Sequence, residues 1–221
     1  MSELLLSRWS FDPRQRAVQR ALGDSQALHR LVMSAFPPAA TGEEARQAFG
    51  VLYRVDIDEK TGVPALLVQS RVRPDVTPLT PLLLRHAGEV KNVAPLYEAL
   101  AVGAVLRFRL RANPVRRVHT NHTDDKLAGK RVNLRTDEQR REWIAEKLAR
   151  EAGCLLGACA MREGGAQRGQ RGAQRLSHGA VTYDGLLRVV DADALRAGIR
   201  AGIGPGKAYG FGLLSVAPAE R

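Results

Sequence analysis

An α+β fold made of two successive βαββαβ units is what this sequence predicts, on three observations. Strand-like and helix-like runs come in the order strand, helix, strand, strand in the first half, and the same order recurs in the second half. The second pass then continues with a helix and a closing strand, which completes the split βαβ plan. With 221 residues, 44% of them hydrophobic, the chain suits one large domain or two small ones with a real core.

The start, MSELLLSRWSF, has three leucines, an early Glu and no basic leader, so it reads as a first strand and as neither signal peptide nor membrane span. FDPRQRAVQRALG opens a helix, with Asp12 expected as N-cap, Pro13 at the first helical position and Gln15 in a capping-box-like spacing. Asp24 or Ser25 restarts it. In QALHRLVMSAFPP, Leu28, Leu31, Val32 and Ala35 share one helical face, and the two prolines stop the helix. FGVLYRVDID and VPALLVQSRV follow as strands joined by a turn at EKTG. Between Arg73 and Pro95 prolines blur the pattern, and a short helix and a fourth strand are expected there.

The second unit opens with the strand GAVLRFRLRANPVRRV. TDEQRREWIAEKLAREAG is a helix with Thr136 and Gln139 as capping box and Trp143, Ile144 and Leu148 on its buried face. CLLGACAM, a polar loop, GAVTYDG and LLRVVD come next, then the helix DADALRAGIRAG and the strand FGLLSVAP. The expected architecture is two ferredoxin-like (βαββαβ) domains in tandem, 1–94 and 95–221. Such a fold implies no particular function.

Charge and cysteine usage narrow the functional classes. Lys plus Arg number 34 against 23 Asp plus Glu, a formal net charge of +11 that suits a nucleic-acid partner. Aromatic residues make up only 5%, so contact with phosphates is expected to outweigh base stacking. Cys154 and Cys159, five apart on a strand, are expected on opposite faces, reduced, in a cytoplasmic protein.

GIGPGKAYGFG, from Gly202 to Gly212, is the most unusual stretch. It is not a Walker loop, because Ala201 stands where the first glycine is needed and Ala208 where a magnesium-binding Ser or Thr is needed. Either it is a plain turn between helix and strand, or its glycines turn backbone amides toward a polyanion while Lys207 adds a charge. In LRFRLRANPVRR, Leu106, Phe108 and Leu110 alternate with Arg107, Arg109 and Arg111, so the arginines form one row on a sheet face. That row serves either phosphate binding or a solvated face of salt bridges.

LRFRLRANP from Leu106, GKRVNLRT from Gly129 and GIGPGKAYGFGLLSVAP from Gly202 resemble the hallmarks of the CasE-type CRISPR-associated endoribonucleases of type I-E systems. The last of these includes the glycine-rich signature of repeat-associated RNA-binding proteins. The resemblance implies cleavage of precursor CRISPR RNA at the base of each repeat hairpin. It also implies retention of the guide RNA and residence beside the other subunits of the Cascade complex.

The resemblance assigns Gly204, Gly206 and Lys207 to the RNA backbone, together with the arginine row and Lys130 and Arg131 of GKRVNLRT. It turns REGGAQRGQRGAQR into a basic hairpin entering the groove of the RNA stem, with Arg162, Arg168, Arg171 and Arg175 as contacts. Among the histidines, His29 lies at the flank of an apolar helical face, where an imidazole either serves as a structural boundary residue or, partly wet, takes part in proton transfer. The family's catalytic histidine matches this position. In the implied reaction His29 assists attack of the ribose 2′-hydroxyl on the adjacent phosphate, as base or as acid to the leaving 5′-oxygen, giving a cyclic phosphate without metal or other cofactor.

Members of the family often carry Tyr three residues before this histidine and some carry a nearby Lys, where this chain has Gln26 and Ser34. The second proton-transfer partner therefore stays unassigned. His119 and His122 of HTNH, with Asp124 and Asp125, raise a metal-site reading that lacks a further ligand at suitable spacing. A non-catalytic RNA-binding subunit is the stronger alternative.

Overall fold

A computed structural model describes residues 3–38, 45–58, 60–84, 88–117, 130–171 and 174–219. The HTNH segment and His86 fall outside them.

The first sheet pairs β1 (Leu5–Ser10), β2 (Leu52–Ile57), β3 (Pro64–Ser70) and β4 (Lys91–Asn92), in the order β2-β3-β1-β4 and antiparallel throughout. Between β1 and β2 the chain forms α1 (Arg16–Gly23), α2 (Ser25–Met33) and the single turn α3 (Ala45–Ala48). A 3-10 turn, Thr77–Leu82, separates β3 from β4. Leu28 and Val32 of α2, Val18 and Ala21 of α1, and Trp9, Tyr53 and Leu66 of the strands fill one core. Burying each large apolar side chain is worth about 1.5–3 kcal/mol, so helices as short as these are held by packing more than by propensity.

α1 starts later than expected. Oδ1 of Asp12 accepts the Arg14 amide at 3.0 Å, closing a turn around Pro13, and Gln15 becomes an N-cap with no side-chain bond. Asp24 does cap α2, accepting the Ala27 amide at 2.7 Å.

α4 (Ala94–Glu98) leads into the second sheet, β10-β5-β9-β8, built from β5 (Val105–Ala112), β8 (Cys154–Arg171), β9 (Gln174–Val189) and β10 (Leu214–Pro218). In each sheet the strands stand in the order fourth, first, third, second, the ferredoxin-like arrangement, so the fold is a tandem of that unit. α5 (Asp137–Ala152) and α6 (Ala192–Ala201) pack on the second core through Trp143, Ile144, Leu148, Leu195 and Ile199. Thr136 accepts the Gln139 amide at 3.2 Å as expected, while the Gln139 side chain reaches back to the Arg135 amide at 3.3 Å. Asn113 and Pro114 end β5, and β6 (Val115–Arg117) pairs with β7 (Arg131–Asn133) as a separate ribbon.

Two expectations about the second sheet are corrected. GAVTYDG and LLRVVD form one strand, β9, while the segment between the two strands is drawn into a long β8–β9 hairpin, as the resemblance implied. Asp184-Gly185 imitates a turn signal, but the glycine serves a β-bulge: a Cβ at Gly185 would lie 2.3 Å from the Ala158 carbonyl oxygen. The bulge between Leu156 and Cys159 adds a residue to β8, which reverses the side-chain alternation. Cys154 and Cys159 therefore both face the second core, as free thiols. Burial raises both thiols, Cys154 to about 11, so neither is a ready nucleophile.

Among the described residues no helix is long and apolar enough to cross a membrane.

The two sheets are locked together by polar side chains. Arg54 of β2 is 4% exposed, pairs with Asp56 at 2.9 Å, and bonds the carbonyls of Arg109 and Leu213, each at 3.3 Å, and Oγ of Ser215 at 3.0 Å. Gln69 of β3 donates to the Ile199 carbonyl at 2.9 Å.

Candidate functional site

α2 lies beside β8 and beside the 3-10 turn Lys207–Tyr209. Its cap at Asp24 and its buried Leu28 and Val32 fix the rotation that puts Gln26, His29, Arg30 and Met33 on a cavity of about 770 Å³. Phe36, Pro37, Pro38, Ala45 and Arg46 form the near wall, and Ala208 and Tyr209 close the far side. This volume lies in the range of small-molecule sites. His29 is half-buried on its rim, the flank position expected of it.

The glycine-rich segment joins the two halves of the protein. Gly202, Gly204, Gly206, Gly210 and Gly212 all have positive φ, so the chain doubles back repeatedly in a conformation costly for other residues. Close packing adds to this, because a Cβ at Gly202 would meet Leu52 at 2.9 Å and one at Gly210 would meet Tyr53 at 3.1 Å. Tyr53 is fully buried and donates to the Ala208 carbonyl at 2.6 Å, fixing the turn that carries Lys207 and Tyr209. Burial is the main force pushing its phenol well above the usual tyrosine value.

Gly204 sends its amide to Oε2 of Glu151 at 2.8 Å, so it holds a carboxylate of the protein rather than an open anion site. Burial alone would raise Glu151, but its 2.6 Å bond from Lys147, the Gly204 amide and the charges of Lys147 and Lys207 hold it below its ordinary value. Lys207 is half-buried; burial lowers its pKa, Glu151 opposes this, and Arg46 and Lys147 add to it. A bound phosphate would relieve that crowding of cations.

The arginine row forms on one face of β5, but its members are separated in use. Arg109 pairs with Asp184 of β9 at 2.5 Å, and Arg162 of β8 pairs with the same carboxylate at 2.9 Å. Arg109 opens on a groove with Arg8, Asp56, Asp58 and Lys60, apart from the His29 cavity. Arg107 donates to the Pro218 carbonyl at 3.3 Å, and Arg111 lies 5.2 Å over the Phe211 ring, its charge disfavoured chiefly by burial. Arg168 and Arg171 fall on β8 and Arg175 on β9, so the hairpin carries them as strand residues.

Lys130 precedes β7, and Arg131 stands directly opposite Arg117 of β6. Like charges facing across a ribbon repel, which favours an anion between them. Arg116 and Arg117 escape sequence reasoning because a run of arginines after Pro114 looks like any solvated strand end. Arg46, Tyr53 and Tyr209 escape it too, since their places around the cavity depend on contacts between distant segments.

The family described as CRISPR associated protein matches residues 4–218 of this chain. The CRISPR-associated endoribonuclease Cse3 of Thermus thermophilus is 32% identical over 225 residues, covering 96% of this chain and 99% of that protein. The CRISPR system Cascade subunit CasE of Escherichia coli is 33% identical over 123 residues, 54% of this chain and 61% of its own. The structure of Thermus thermophilus Cse3 bound to an RNA representing a pre-cleavage complex is similar with a TM-score of 0.78 and 30% identity, covering 98% of this chain and all of that one.

Proposed function

This chain belongs to the CRISPR associated protein family, and from that premise we propose that it is an endoribonuclease that binds the repeat hairpin of precursor CRISPR RNA, cuts at its base and keeps the guide as a Cascade subunit. The observation that carries this reading is the cavity. A half-buried imidazole, His29, faces Arg46 and the Lys207–Tyr209 turn across a space open to a polyanion, beside a protein of net charge +11.

In the reaction the 2′-oxygen bonds to phosphorus and the P–O5′ bond breaks. The 2′-hydroxyl gives up its proton, the 5′-oxygen takes one up, and a cyclic phosphate and a 5′-hydroxyl remain. In this reading His29 makes one of these two transfers, and Arg46 of the cavity wall and Lys207 of the adjoining turn stabilise the charge on phosphorus, often the larger effect. The proposed domains are 1–94 and 95–221, a division at the start of α4, between the two sheets. Support for RNA contact by Arg107, Arg109, Arg111, Lys130, Arg131, Arg162, Arg168, Arg171, Arg175, Gly206 and Lys207 lies in their clustering on β5, the β6–β7 ribbon, the long hairpin and the turn. Gly204 is the weakest of the set, its amide being taken by Glu151.

Incubation with a repeat hairpin in chelator tests the reading. The expected result is cleavage that stops when the cut-site ribose is 2′-deoxy. Normal cutting of the deoxy RNA, or a strict requirement for metal, overturns the mechanism, and binding without cutting leaves an RNA-binding subunit.

A further inference from the structure

Gln26 and His29 are three apart on α2 and share the face turned to the cavity. Nε2 of Gln26 donates to the phenolic oxygen of Tyr209 at 3.2 Å, across 183 residues of sequence. Tyr209 is thereby held in the wall of the cavity that His29 also lines by two devices, the Gln26 amide at its tip and the Tyr53–Ala208 bond beneath its backbone. Gly206 and Gly210, at φ 84° and 78°, bracket the turn and leave it one compact path. A half-buried phenol fixed at both ends, in the wall of a cavity with a histidine and an arginine, is more than filling. A phenol both accepts and donates, so a residue that accepts from Gln26 is chemically able to donate to an oxygen of a bound ligand.

We propose that Tyr209 is a second catalytic group of this cavity, donating a hydrogen bond to a non-bridging oxygen of the scissile phosphate, and that Gln26 positions it. The inference rests on the endoribonuclease reading above. Tyr209 transfers no proton. Its hydrogen bond strengthens as negative charge gathers on the phosphorane oxygens, so it favours the transition state over the bound substrate. A group supplied by a tightly tied turn is also preorganised, which limits the reorganisation needed at the moment of reaction.

Single-turnover cleavage of a repeat hairpin by His29→Ala, Tyr209→Phe, Gln26→Ala and the double variant Q26A/Y209F tests this, with hairpin affinity and thermal midpoint measured alongside. Tyr209→Phe keeps the ring and is expected to slow cleavage about 10- to 100-fold, the weight of one hydrogen bond to a charged group, with affinity unchanged. Gln26→Ala is expected to slow it less, and the double variant to be no slower than Tyr209→Phe, because Gln26 acts through the phenol. In the wild-type protein, a phosphorothioate at one non-bridging position should slow cleavage, and Tyr209→Phe should cut that RNA and the normal one at similar rates. A Tyr209→Phe rate within about twofold of wild type, or one lowered only as far as affinity is lowered, overturns the proposal. Full activity of His29→Ala overturns the underlying reading instead, so the two failures are distinguishable.

Discussion

Tyr53 donates its phenolic hydrogen to the carbonyl of Ala208 at 2.6 Å, joining the second strand of the first sheet to the turn that closes the His29 cavity. Tyr53→Phe removes the donor and leaves that acceptor to find another. The expected loss is about 1–3 kcal/mol of folding stability, the cost of an unsatisfied buried group, read from denaturant midpoints at unchanged slope. A loss below a few tenths of a kcal/mol would show that water replaces the phenol.

His29→Ala should lower single-turnover cleavage by ~10²–10⁴ while hairpin affinity stays within a few-fold, the range for one proton-transfer group. Equal loss of affinity and rate would make His29 a binding residue.

Asp184 occupies Arg109 and Arg162 at once, at 2.5 and 2.9 Å. If these arginines contact phosphate, Asp184 competes with RNA for them. Asp184→Asn should therefore tighten binding and steepen the fall of affinity with salt, by about one unit of slope for each arginine that gains a phosphate. Weaker binding by Asp184→Asn would mean that the carboxylate orients the arginines instead of competing for them.

Burial holds Lys207 below the ordinary lysine pKa, with Glu151 opposing. A phosphate beside it favours the charged form and raises that value, so binding takes up a proton. Affinity should fall as pH rises through the depressed pKa of the free protein, and Lys207→Arg should flatten this dependence because arginine stays charged. Superimposable pH profiles for the two proteins would remove Lys207 from the contact.

Arg54 bonds Arg109, Leu213 and Ser215 of the second sheet while paired with Asp56. Arg54→Met fills similar space without those bonds and strands Asp56, which is 31% exposed and so partly rescued by water. The expected cost is about 2–4 kcal/mol in denaturant unfolding, near the lower range for breaking a buried pair. A variant as stable as wild type would show the lock to be dispensable.

Legibility in the sequence followed the range of the interactions. The α2 cap at Asp24, the α5 cap at Thr136 and the alternation along β5 are local, and each is plain in a few consecutive residues. The start of α1 is ambiguous in the sequence because Asp12 and Pro13 suit a turn as well as a cap. The bulge at Ala158 was hidden because its cause is the carbonyl approaching Gly185 from another strand. His29 could be singled out from its helical position and the family resemblance, but Arg46, Tyr53 and Tyr209 could not, since folding alone brings them to it. The arginine row was legible as a row, while its capture by Asp184 and Phe211 was not.

The Gln26–Tyr209 bond spans 183 residues, and a ribosome makes the chain in one direction. α2 can fold against the first sheet long before the turn at Lys207 exists, and during that interval the histidine faces an open trough. Only when the segment from Gly202 onward has emerged and β10 has paired with β5 is the far wall set in place. Nascent and truncated chains therefore carry the imidazole without its enclosure. The far wall is thus the last part of the cavity to be made, and a chain broken before Gly202 keeps His29 without Ala208 and Tyr209 across from it.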